Sequence, residues 1–219
     1  MRESSTREVS EQAAMVKKNQ VPWRWYHGVI FYLLMQGLTF GLAGLVSGIR
    51  RGQSKQARDL LGDQEYFRSL KQVKFTPPAW AFGPAWTINN LCVIWGLLRV
   101  LNMPQENPGR AEYLGLQAAS WLNYITFSAA YFGLRSPLNA LIITLNMFVL
   151  TILSGFVALF RLRDTWVALS LTTLFIWLLL ALSVATCQAL WNVDEWYQLG
   201  PFIQAPARWV ELRERGKRE

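Results

Sequence analysis

The sequence predicts an all-α membrane protein, a bundle of five transmembrane helices. Two observations carry the prediction. Five stretches, 25–49, 75–98, 113–134, 136–160 and 166–192, contain no Asp, Glu, Lys or Arg, and the charges gather at the ends and in the connections. Each stretch reaches the roughly 20 residues that an α-helix needs to cross about 30 Å of hydrocarbon. Composition agrees, with hydrophobic residues at 52% and charged residues at 16% of 219. Lipid offers no partner to an unpaired backbone group and a helix satisfies its own, so the spans are expected to be helices. Five uncharged runs of this length argue against a soluble bundle of buried helices.

Taken in order, residues 1–24 form a polar N-terminal extension, read as a tail or surface helix up to Val21. A cleaved signal peptide would place a shorter apolar core near residue one, and none is expected. The transmembrane domain covers 25–193. Its first span carries Gly37, Gly41, Gly44 and Gly48, small residues at three- and four-residue spacing that let helix backbones approach closely. The stripe suits packing within the bundle or a homodimer contact. The connection 50–74 is long and charged, with Leu60, Leu61, Phe67 and Leu70 spaced for a short amphipathic helix. Connections of this length are often functional covers or partner contacts.

The second span opens on Phe75-Thr-Pro-Pro-Ala-Trp-Ala-Phe-Gly-Pro-Ala-Trp-Thr87. Proline fixes φ and lacks a donor, so Pro77 and Pro78 are expected in an extended lead-in and Pro84 in the first helical turn. Trp80 and Trp86 then fall near a membrane interface, where amphipathic rings are favoured. The remaining connections, 102–112, 135–137 and 161–165, are short and make neighbouring helices antiparallel. Residues 194–219 read as a tail lying along the interface through Trp196, Tyr197, Phe202 and Trp209, ending in the mixed-charge run 211–219.

Net charge is +8. Membrane topology explains the excess better than nucleic-acid binding does. The first connection (Arg50, Arg51, Lys55, Arg58, Arg68, Lys71, Lys74) shares a side with the C-terminal tail (Arg208, Arg213, Arg215, Lys217, Arg218). Positive-inside counting puts that side, and the C terminus, in the cytoplasm. Arg2, Arg7, Lys17, Lys18 and Arg24 on the other side vote against it.

Catalytic and metal chemistry find little to work with. His27 is the only histidine, which excludes a His-rich metal site, and no span holds a carboxylate for a proton relay. His27 reads as an interfacial anchor beside Trp23, Trp25 and Tyr26; the sharper reading is an axial ligand to a haem iron or a chlorophyll magnesium. Cys92 and Cys187 both lie within spans, so neither a disulfide framework nor a thiolate metal site is expected. The chain is not expected to be an enzyme.

The Pro/Trp segment resembles the signature W-x-P-P-x-W-x-F-x-P-x-W-T of the TspO/MBR family, the translocator or tryptophan-rich sensory proteins. Pro77, Pro78, Trp80, Phe82, Pro84, Trp86 and Thr87 match it, and Phe75 stands for the leading Trp. The long first connection, Phe132-Gly133 and Leu190-Trp191-Asn192 also fit, over about residues 27–192. The resemblance implies the five-helix fold and an aromatic ligand cavity. Departures fall on the cavity positions it implies: Asn90 replaces a Tyr, Phe127 a Trp, Ile143 an acidic residue, and Thr186-Cys187 a Leu-Asn pair. Asn123 is one residue out of register counted from Phe132-Gly133, and Trp177 is two positions early.

Trp80, Phe82, Trp86, Asn90, Trp95, Asn123, Phe127 and Trp177 are the candidate ligand-binding residues, since pockets for flat ligands are mostly apolar with a few orienting polar groups. Two functional readings follow. In the first, the chain binds a tetrapyrrole (porphyrin, haem or chlorophyll type) or another flat apolar ligand, in sensing or transport. In the second, it is an accessory subunit with a structural role in a larger membrane complex such as a photosynthetic or respiratory assembly.

Overall fold

The computed structural model describes residues 22–51 and 64–210, without the side chains of 50, 51, 64 and 65. Expectations for residues 1–21, Leu60, Leu61 and 211–219 lie outside the described residues. The described chain is helical: α1 (Trp25–Arg51), α2 (Gln64–Ser69), α3 (Ala79–Leu101), α4 (Arg110–Ser128), α5 (Pro137–Phe156), α6 (Thr165–Ser170) and α7 (Thr172–Trp191). Wider π turns extend α4 through Ala129–Gly133 and α5 through Val157–Arg161.

Four helical runs are long and apolar enough to cross a membrane: Trp25–Ile49, Ala79–Leu101, Pro137–Arg161 and Thr165–Trp191. The third expected span, α4 with its π turn, is as long but more polar, carrying Arg110, Glu112, Gln117, Ser120 and Asn123. The chain is an all-helical membrane bundle. Its helices close a ring, with α1 against α4, α4 against α5, α5 against α7, α7 against α3, and α3 back against α1.

The ring's two halves differ. At one end lie residues 22–24 and the turns 102–109 and 162–164, and here the bundle is solid. Val93, Val100, Tyr113, Trp121, Val167, Leu171 and Leu178 are buried together in this half. Asn102 ties in the start of α1, accepting from Trp23 N at 2.7 Å and donating to Trp23 O at 2.8 Å. Asp164 caps α6 through Trp166 N and Val167 N and pairs with Arg99.

The opposite end carries α2, the turn 134–136 and the segment 192–210, and there the helices splay around a cavity. The lead-in to α3 differs from expectation. Pro78 is extended (φ −62, ψ 148) as expected, but the helix starts at once at Ala79, so Pro84 sits inside it rather than in its first turn. Ala79 to Phe82 are compatible with a helix, and Pro84 removes only one backbone hydrogen bond near an exposed start. The segment 192–210 folds back over the bundle end, with Trp196, Tyr197, Phe202 and Trp209 about half exposed on it. Asp194 is 1% exposed there. A Cβ added at Gly37, Gly41 or Gly48 would meet nothing within 4 Å, so these glycines are not packed against another described helix and that face of α1 stays open.

Candidate functional site

The cavity measures about 330 Å³ and lies in the covered half, bounded by α1, α3, α4, α5 and α7, with Phe67 of α2 across it. Its aromatic wall is built in a chain of edge contacts. Phe67 meets Phe82 at 5.5 Å between ring centroids, and Phe82 meets Trp177 at 5.4 Å. Trp177 meets Trp86 at 6.5 Å, and Trp86 meets Tyr124 at 5.3 Å. These edge-to-face arrangements are the favoured ones for rings with a negative face and a positive rim. Phe127 and Tyr131 continue the wall at 5.7 Å.

Besides Thr39, Ser128 and Thr144, two hydrogen-bonded groups of polar side chains reach the cavity. In one, Tyr124 donates its hydroxyl to Gln36 Oε1 at 2.7 Å, and Gln36 Nε2 donates to Tyr32 at 3.0 Å. Thr87 lies 3.3 Å from the same Tyr32 hydroxyl and donates to Gly83 O. In the other, Tyr131 donates to Gln188 Oε1 at 2.7 Å. Gln188 Nε2 donates to Gln72 Oε1 at 2.7 Å, and Gln72 Nε2 donates to Phe67 O at 2.6 Å. Gln36, Thr87, Tyr124, Tyr131 and Gln188 all line the cavity. No Asp, Glu, Lys, Arg or His is among its described lining residues, so the wall offers fixed dipoles rather than an acid–base pair.

The sequence-predicted residues separate into groups. Phe82, Trp86, Phe127 and Trp177 come together in the cavity wall. Trp177 Nε1 is buried with no acceptor among the described residues. Asn90 lies just behind the wall, beside a void of about 10 Å³ that it shares with Trp86, Ser120, Trp121 and Tyr124. Trp80 and Trp95 point away, 75% and 49% exposed on the outside of α3. Asn123 donates to Ala119 O at 2.8 Å and accepts from Asn146 at 3.1 Å, on the outer side of α4 and α5. His27 stands at the far end of α1, its Nδ1 accepting from Arg24 N at 2.9 Å and its ring against Tyr26 and Trp23.

Positions that depart from the family signature also find their places. Ile143 packs against the apolar core, and Thr186 donates back to Leu182 O at 2.7 Å. Cys187 packs beside Val73, Val184 and Trp191. The α7 amide at the cavity is instead Gln188, one residue further on. The π turn at Ala129–Gly133 fits one residue more than an α-helical turn would, the size of the register offset of Asn123 from Phe132-Gly133.

Sequence reasoning misses Gln36, Tyr124, Gln188 and Gln72. A signal exists for some of them. An amide inside an uncharged span is expensive unless it faces the bundle interior and finds a partner. Gln36 and Gln188 are such amides.

The sequence profile of the TspO/MBR family matches residues 22–197. A tryptophan-rich protein TspO from Chlorobaculum tepidum is similar at 27% identity over 89 residues, which is 41% of this chain. The aligned stretch spans 56% of that relative's length.

Proposed function

This chain belongs to the TspO/MBR family, and from that premise we propose that it binds a flat, largely apolar ligand of the tetrapyrrole kind in its helix-bounded cavity, in sensing or transport. It is an integral, multi-pass membrane protein. The observation that carries the proposal is the cavity itself. About 330 Å³ falls within the range of small-molecule sites. The wall combines the faces and edges of Phe82, Trp86, Phe127 and Trp177 with hydroxyl and amide groups at Tyr124, Thr87, Tyr131 and Gln188. Rings of this kind grip a flat apolar body, and the few polar groups fix its orientation. All five long helical runs are read as crossing the bilayer, α4 with Gln117 and Ser120 buried in the bundle. The C terminus is read as cytoplasmic.

Titration of the purified protein with protoporphyrin IX, followed by tryptophan fluorescence, tests the binding. Trp86 and Trp177 in the wall make saturable quenching at near-equimolar ligand the expected result. Quenching that rises linearly without saturating, and equally for free tryptophan, would sink the proposal. A homodimer is read along the Gly37, Gly41, Gly44 and Gly48 face, where a Cβ at Gly37, Gly41 or Gly48 would meet nothing within 4 Å and two backbones can approach closely. Cross-linking in native membranes from cysteines placed along that face tests it, and monomer alone would overturn it.

A further inference from the structure

We propose that the C-terminal segment 192–210 is a latch that holds the segment 64–76 closed over the cavity. The proposal concerns the same cavity as the ligand-binding reading and rests on it only for its consequence, control of ligand access.

The cover is the stretch from α2 to the start of α3. Phe67 is part of the cavity wall, and Tyr66, Phe67 and Leu70 are buried against Tyr131 and Ala140. The rest of the cover is tied to α7 through Gln72 and Gln188 and to the C-terminal segment through several further contacts. Lys71 N donates to Asn192 Oδ1 at 2.7 Å, and Asn192 Nδ2 donates back to Lys71 O at 3.2 Å. Lys74 N donates to Trp209 O at 3.0 Å, and Val73 pairs antiparallel with Val210. Val73 is buried with Val184 and Trp191 of α7, and Ala205 and Val210 close over this cluster.

The segment is itself anchored to the bundle, which is what makes it a latch rather than a passenger. Asp194 fixes its start at the N-terminus of α5 by accepting from Ser136 Oγ and Leu138 N. Phe202 N and Ile203 N both donate to Leu190 O at the end of α7. Gly200, at φ +86, sits so close to Asn192 O that a Cβ would approach within 2.8 Å, so the return of the chain needs glycine here. The cover is thus held from the α5 and α7 side by a segment that contributes no residue to the cavity wall.

Cavity opening can be read without any ligand. A single cysteine at Ala185→Cys, in the wall, is placed in a Cys92→Ser, Cys187→Ser background and its labelling by a small maleimide is followed. Ending the chain after Gln204 removes the Lys74 and Val73 ties but keeps Asp194 and the Leu190 contacts. Labelling is expected to speed up about tenfold, equivalent to about 1.4 kcal/mol of lost closure. In the full-length chain carrying Ala185→Cys, oxidation of a Val73→Cys, Val210→Cys pair to its disulfide is expected to slow labelling at position 185, with reduction of that disulfide restoring the rate. A single native Cys92 on α3, in Cys187→Ser protein, serves as the control for general loosening and should label equally in truncated and full-length chains. If the truncated and the cross-linked chains both label at the full-length rate, or Cys92 accelerates as much as position 185, the latch is refuted. A chain that latches but fails to quench with protoporphyrin would refute the ligand and leave the latch standing.

Discussion

Gln188 of α7 donates its side-chain amide to Gln72 of the cover at 2.7 Å, and both residues are 2% exposed. The pair joins the cavity wall to the cover, since Tyr131 completes Gln188 and Phe67 O completes Gln72. Removing one partner strands the others in a place water does not reach. Gln188→Leu is expected to cost about 2–4 kcal/mol, and Gln72→Leu somewhat less. The double variant should cost at least about 1 kcal/mol less than the sum, because two apolar side chains replace two satisfied amides. Unfolding in detergent measures all three, and strict additivity would show that the amides do not act together.

Asp194 joins two pieces of chain, 136–138 and 194–197, with one carboxylate. Oδ2 accepts from Ser136 Oγ at 2.6 Å and Leu138 N at 3.0 Å, and Oδ1 accepts from Trp196 N at 3.1 Å and Tyr197 N at 2.9 Å. All four are donors, so a buried amide cannot replace the carboxylate without turning N–H toward N–H. Asp194→Asn and Asp194→Ala are therefore both expected to lose about 3 kcal/mol. In a chain of this size that is a fall of about 6–12 °C in Tm. An Asn variant as stable as the parent would contradict the assignment of all four bonds to one ionised group.

Gly83 lines the cavity, and a Cβ there meets nothing within 4 Å. Gly83→Leu should fold with little net change in stability, since the helix propensity gained over glycine is offset by the crowding that Pro84 imposes on the residue before it. Its side chain would occupy space next to Phe82 and Trp86. Protoporphyrin binding is expected to weaken at least about tenfold, as loss of well over 1 kcal/mol of contact implies. Unchanged affinity in a well-folded Gly83→Leu protein would move the ligand elsewhere.

At the solid end, Gly96 of α3 lies so close to Ser170 of α6 that a Cβ would collide with Ser170 Oγ and lie 3.1 Å from its Cβ. Gly96→Ala is expected to destabilise by about 1–3 kcal/mol, the usual cost of overpacking. Combining it with Ser170→Gly should recover most of the loss, and thermal unfolding of the four proteins decides it. No recovery would mean the clash is with backbone rather than with this side chain.

The cavity wall is half legible in the sequence. Phe82 and Trp86 lie in the Pro/Trp segment, and Phe127 and Trp177 are large rings in apolar stretches, so ring type and spacing are enough to pick them. Trp80 and Trp95 look the same by type and point outward, because the direction a ring takes depends on helix rotation about neighbours. Asn123 reads as an orienting group and pairs with Asn146 on the outer side. Gln36 and Gln188 are marked as inward-facing by being amides inside uncharged spans, whereas Tyr124 is recognisable only once its partner Gln36 on α1 is known.

By itself the sequence determined the membrane class, the helix limits near the uncharged stretches, and the family, because each rests on local quantities: charge, hydropathy and a contiguous motif. Tertiary structure alone decided that one half of the bundle is solid and the other hollow. It also decided that residues 192–210 return to hold 64–76. Those are outcomes of contacts between residues more than a hundred positions apart, Gln72 with Gln188 and Lys71 with Asn192. No local pattern encodes such a pairing, since an amide finds its partner through the packing of whole helices.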